Sequence, residues 1–72
     1  MTRKEIVIKA LIGSFKIGET LTKGAIHKAA KNLDPNISPA TTGWQIYLSL
    51  LGKFIELEGK GENGANIYRR IK

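Results

Sequence analysis

Cysteine is absent from the 72-residue chain. That excludes a disulfide staple, a thiolate nucleophile and a thiolate-bound metal. Histidine is nearly absent: His27 stands alone, and a metal site needs three or four ligands. No metal and no cofactor is therefore expected. Long apolar runs are missing too. None exceeds the length of Ile6-Val7-Ile8, far below the roughly 20 residues that span a bilayer. The first apolar stretch is broken by Lys9, so neither a membrane segment nor a signal peptide is expected. Acidic residues are scarce, 6 against 12 Lys/Arg. Glu5, Glu19, Asp34, Glu56, Glu58 and Glu62 are scattered through caps, turns and a hairpin, with no paired carboxylates. Nothing here assembles a nucleophile with a base, so no enzyme is expected. What remains is one small, basic, soluble domain over residues 1–72, expected in the cytoplasm.

What is present is a dense supply of core residues, 10 Ile and 7 Leu, and a formal charge of +6. Thr2-Arg3-Lys4-Glu5 reads as a capping box, predicting a first helix over 3–14. Its apolar residues Ile6, Val7, Ile8, Ala10, Leu11, Ile12 and Phe15 cover about two thirds of the helix circumference. Such a helix is either a central core element or one that also joins two copies. A homodimer through Ile6, Ala10 and Leu11 is one option, a monomer the other. Lys16 to Leu21 is a break, with Gly18 as a turn signal and room for a minimal strand.

Thr22 is a natural N-cap for a second helix over about 23–32. Ala25, Ile26, Ala29, Ala30 and Leu33 share one face; Lys23, His27 and Lys31 share the other, with Lys28 beside them. Asp34-Pro35-Asn36 is a turn, and Ser38-Pro39 starts a third helix expected over 39–51 and closed by Gly52. Gly43 inside it costs about 1 kcal/mol against Ala. The chain then alternates. Phe54 to Glu58 and Asn66 to Ile71 flank a glycine-rich turn containing Asn63-Gly64, the signature of a β-hairpin. Ile55, Leu57, Ile67 and Ile71 are expected on its inner face. Glu56, Glu58, Tyr68 and Arg70 are expected on its outer face, with a Glu–Arg70 pair across the strands. Gly59, Gly61 and Gly64 lie in this hairpin and do not form a phosphate loop.

The order of elements, Leu21 to Ile26 opening helix two, and Leu48 to Ile55 running into the hairpin carry a likeness. On these the chain resembles the winged helix-turn-helix DNA-binding superfamily along nearly its whole length. It is similar to small stand-alone winged-helix regulators of archaea and their viruses or plasmids. The resemblance implies an α+β domain of three helices followed by a two-stranded β-hairpin wing. It implies a double-stranded DNA partner, with helix three as the recognition helix, and the host cytoplasm if the gene is viral. Two features depart from the family: the turn from Asn32 to Ser38 is long, and helix three has no Lys or Arg.

On a helical wheel Ser38, Thr41, Thr42, Gln45 and Ser49 fall on one polar, uncharged face. It is either a solvated face or a base-reading one. Gln can pair with adenine, and hydroxyls and methyls meet base edges. Gln45, Thr41, Thr42 and Ser49 are the candidate base contacts, with Ser38 against the backbone. Trp44 and Tyr47 fall in the apolar sector and are expected in the core or a dimer interface. Residues 1–32 hold seven Lys/Arg and two acids; residues 33–72 hold five and four. The positive field therefore sits on helices one and two. Lys23, Lys28 and Lys31 are the candidate phosphate contacts there, and Lys60, Arg69 and Arg70 in the wing. His27 is read as a surface residue. The rival expectation is a protein–protein module, favoured by the uncharged third helix and the apolar first one.

Overall fold

The first helix begins where the capping box places it. In the computed structural model, which describes residues 1–72, the Thr2 hydroxyl accepts the Glu5 amide at 3.2 Å. The Glu5 carboxylate in turn accepts the Thr2 hydroxyl at 3.1 Å. Helix α1 follows over Arg3–Ser14. Its buried residues, Ile6, Val7, Ala10 and Leu11, form one stripe at helical spacing. Ile6, Ala10 and Leu11 are spent on this chain's own core, which corrects the expectation that they join two copies. Ile12, on the other side, is exposed.

The break at Gly18 uses a positive φ of 89°, which glycine adopts without steric cost. It leads into strand β1, Thr20–Thr22. Thr22 then caps helix α2, Lys23–Leu33, by accepting the Ala25 amide at 3.2 Å. Ile26 and Ala30 are buried, and Lys28 and Lys31 are exposed. Asp34 turns the chain by accepting the Asn36 amide, and Ile37 enters the core.

Ser38 caps helix α3, Pro39–Gln45, with Pro39 in the first turn. The expected single helix over 39–51 does not run through. From Ile46 to Leu50 it widens into a π-helical turn, closed by a 2.8 Å bond from the Leu51 amide to the Ile46 carbonyl. Gly52, with φ 78°, ends it.

Strands β2, Ile55–Lys60, and β3, Asn66–Arg70, form the expected hairpin, but the sheet has a third strand. Its order is β1-β3-β2, antiparallel throughout. The expected two-stranded wing is thus extended by β1, which pairs Thr20 with Arg69, Leu21 with Tyr68 and Thr22 with Ile67. Without β1 the inner edge of β3 would leave its backbone groups unpaired. This pairing also corrects the expected faces. Leu21 and Leu57 both lie opposite Tyr68, so Tyr68 turns into the core and is buried. Leu57 and Ile71 are exposed, and Ile67 is half-buried. A bulge between Leu57 and Gly59 shifts the register, and a slip of one residue exchanges the faces of a strand.

Twelve buried apolar residues form one core: the four of α1, Ile26 and Ala30 of α2, Ile37, Ile46 and Leu50, with Leu21, Ile55 and Tyr68 from the sheet. The whole is an α+β domain with three helices and a three-stranded antiparallel sheet.

Candidate nucleic-acid interface

Helix α3 packs on α1 and α2 through Thr42, Ile46, Ser49 and Leu50, all buried. Two of these are polar, and both are satisfied. The Thr42 hydroxyl lies 2.7 Å from Nδ1 of His27 on α2. The Ser49 hydroxyl donates to Oε1 of Gln45 at 2.7 Å. Thr42 is 0% exposed and Ser49 5%. These two candidate base contacts are therefore on the core side, and the polar face read from the wheel is split. The reason is pairing: a short hydroxyl beside a ready partner is cheap to bury. The π-helical turn also changes the angular step beyond Gln45, which a regular wheel does not capture. His27 is not a surface residue either; it is half-buried between α2 and α3.

The outward side carries Trp44, Tyr47 and Leu48, which are 62%, 64% and 46% exposed. The rings of Trp44 and Tyr47 stack with centroids 6.1 Å apart and planes 24° from parallel. Neither is in the core, contrary to the wheel. The apolar sector of helix three is broad, so apolarity alone did not select its inner side. Thr41 and Gln45 are half-buried at the margin of this surface, and Ser38 is exposed. Ser38 is engaged in the cap: its oxygen accepts the Thr41 amide at 3.1 Å, and its hydroxyl donates to Thr41 Oγ1 at 2.9 Å.

Cations stand on either side of this surface. Arg3 shares a hollow with Ala40, Thr41, Trp44 and Gln45. Across the helix, Lys23 lies against Gly43: a Cβ there would be 3.0 Å from both Cε and Nζ of Lys23. The glycine read as a weakness in the helix is the seat of a lysine stem. Lys23 also lines a second hollow with Asn63 and Ala65 of the hairpin loop and Asn66 at the start of β3. Arg3 was not a sequence candidate, since its proximity to helix three is purely tertiary. The one ion pair in the chain is Arg69–Glu58, so Arg3, Lys23, Lys28 and Lys31 have no carboxylate partner.

The wing divides. Lys60 is exposed at the end of β2. Arg69 and Arg70 already have partners. Arg69 binds Glu58 at 2.7 and 2.9 Å and also reaches the Gly18 carbonyl. It is Arg69, not Arg70, that makes the cross-strand pair, because the bulge carries Glu58 to it. Arg70 donates to the Lys72 carbonyl at 3.0 Å and to the Phe15 carbonyl, tying the sheet to the end of α1. The Arg69 guanidinium holds the Glu58 carboxyl below the usual carboxylate range. Tyr68, read as an outer-face aromatic, is buried with its hydroxyl 3.4 Å from the Asn66 amide nitrogen.

No three His, Asp or Glu side chains cluster as a metal site, and no helix is long and apolar enough to cross a membrane. Fold and surface together define a small basic α+β domain that exposes an uncharged, aromatic helix between cationic side chains. No known protein family, curated protein or solved structure matches the chain.

Proposed function

We propose that the chain is a winged helix-turn-helix protein that binds double-stranded DNA, acting as a small transcriptional regulator. Helix α3 enters the major groove, while α2 and the hairpin wing grip the backbone. The observation that carries this reading is the flanking of an uncharged, exposed helix by Arg3 and Lys23, with Lys28 and Lys31 unpaired on the adjoining helix. Cations that have no internal partner are suited to phosphates, and the groups between them to base edges. Gln45 and Thr41, joined by Trp44, are the base contacts in this reading. Lys23, Lys28, Lys31, Arg3 and Lys60 contact the backbone.

The test is a fluorescence-anisotropy titration of a mixed-sequence duplex, a single strand and a folded RNA, each at two salt concentrations. If about 4–6 phosphates are neutralised, log K falls with log salt at a slope of roughly −4 to −5 on the duplex. Lys28→Ala weakens all duplexes alike and flattens that slope; Gln45→Ala loses preference at one position. Failure to bind duplex at low salt refutes the proposal.

A second reading has one observation behind it. Trp44, Tyr47 and Leu48 are exposed side by side, and such surfaces also serve as protein contacts. In that case the chain is an interaction module or a subunit of a nucleic-acid-processing assembly. The mass of the protein in solution and the duplex titration separate the two.

A further inference from the structure

No Lys, Arg, Asp or Glu occurs anywhere from Pro39 to Leu50. Any sequence preference of α3 must come from neutral groups, and the structure limits what those groups can offer. The Gln45 carbonyl oxygen is taken up by the Ser49 hydroxyl at 2.7 Å, and Ser49 is itself buried and fixed by packing. This bond sets the orientation of the amide and leaves its NH2 as the free end, a donor. The Trp44 indole N–H is a donor with no acceptor function. Thr41 Oγ1 already accepts from Ser38, leaving its own O–H and its methyl. Gln45, Trp44 and Thr41 line one hollow. Arg3, a further donor, lines the same hollow. The rest of the surface is aromatic or aliphatic, Trp44, Tyr47 and Leu48, with the Tyr47 hydroxyl as its polar end.

Base pairs differ in what they place in the major groove. Guanine shows two acceptors, cytosine a donor, adenine an acceptor and a donor, and thymine an acceptor beside a methyl group. Donors set next to apolar surface suit thymine, whose acceptor O4 lies beside a methyl group; guanine also accepts but offers no methyl. A cytosine or adenine amino group would face few acceptors here. The Gln–adenine pairing needs an amide that presents carbonyl and NH2 together, and here Ser49 already holds one of the two carbonyl lone pairs.

We infer that the exposed surface of α3 selects thymine: Gln45 donates to O4 while the Trp44 ring and the Thr41 methyl cover the 5-methyl group. Ser49 is the positioning residue that holds Gln45 in this role. The inference rests on the duplex-binding reading above and adds a base preference to it.

The experiment compares three duplexes of equal length with the full chain: one rich in A·T, the same duplex with uracil for every thymine, and one rich in G·C. Uracil removes only the methyl groups and keeps every hydrogen-bonding atom. The thymine duplex binds tighter than its uracil twin by about fourfold for each methyl covered, the value of one buried carbon. This gap survives added salt, since apolar contact is not screened, while all three affinities fall together. Trp44→Ala weakens binding of the thymine duplex and narrows the gap, while the salt slope, set by the cations, stays the same; because Trp44 is exposed, the variant folds, and circular dichroism checks that. Equal binding of the thymine and uracil duplexes, or a gap undiminished in Trp44→Ala, overturns the inference while leaving duplex binding intact. No duplex binding at all refutes the underlying reading instead.

Discussion

Helices α2 and α3 lie against each other and sort their residues by different rules. In α2, Ile26 and Ala30 face inward, and Lys23, Lys28 and Lys31 face outward. In α3 and its π-helical turn, Ile46 and Leu50 go in together with Thr42 and Ser49, while Trp44, Tyr47 and Leu48 stay out. The first helix is sorted by polarity. The second is sorted by which polar groups find partners: His27 waits for Thr42, and Gln45 for Ser49. Amphipathicity therefore tells direction only where apolar residues keep to one sector. Where they cover a broad sector, buried hydrogen bonds help choose which part of it turns in, and the bulk left outside marks an exposed apolar surface.

The sharpest break of this comparison is a pair of truncations. Ile26→Ala removes a fully buried side chain and costs about 2–5 kcal/mol. Trp44→Ala removes a larger one and changes stability by no more than about 0.5 kcal/mol. Denaturant midpoints measure both; equal losses would show that Trp44 is held by the fold after all. A smaller effect tests the pairing rule. Thr42→Val keeps the shape but strips His27 of its partner, costing about 1–3 kcal/mol. His27→Ala does similarly, and the double variant loses less than the sum of the two. Strict additivity would mean the pair does not set the inner side of α3.

Gly43→Ala sharpens the contrast at the contact between the two helices. Helix propensity favours Ala by up to about 1 kcal/mol, and Lys23, an exposed flexible chain, needs to yield only slightly. A modest rise in melting temperature is expected. A fall would reveal a lysine that cannot move.

The smallest effect lies outside both helices. Glu5 is held below the usual carboxylate range by bonds from Thr2, and Glu58 by Arg69. Both therefore bind protons more weakly folded than unfolded. Their stabilisation is present above the ordinary glutamate value, about 4.3, and is lost as pH falls through the depressed folded values. Unfolding free energy measured between about pH 6 and about pH 3 declines, and Glu58→Gln makes the decline shallower. A profile unchanged by that substitution would remove the Arg69 bond from the account.

Legibility in the sequence followed the same division. Helix α1 and its capping box, the Thr22 and Ser38 caps and the hairpin were readable because each is specified within a few neighbouring residues. The role of β1 was only half-readable: Lys16 to Leu21 leaves room for a minimal strand, but nothing local says that it pairs with β3. With that pairing Tyr68 faces inward, while Leu57, on the same face, stays exposed, which no alternation rule could foresee. On the candidate surface, Gln45 and Thr41 kept their places at the margin. Thr42, Ser49 and Trp44 changed theirs and Arg3 joined them, since their placement depends on contacts between helices.

The sheet order carries one more implication, about time rather than shape. The strand that stands in the middle, β3, is the last of the three along the chain. Neither β1 nor β2 has a neighbour to pair with until it arrives, and β1 must wait for both intervening helices and the hairpin loop. Closing so long a loop comes before any contact rewards it. The helices and the β2–β3 hairpin rest on nearby contacts, so the pairing of β1 with β3 is the late step, and the Arg70 tie to the end of α1 spans a chain separation as long.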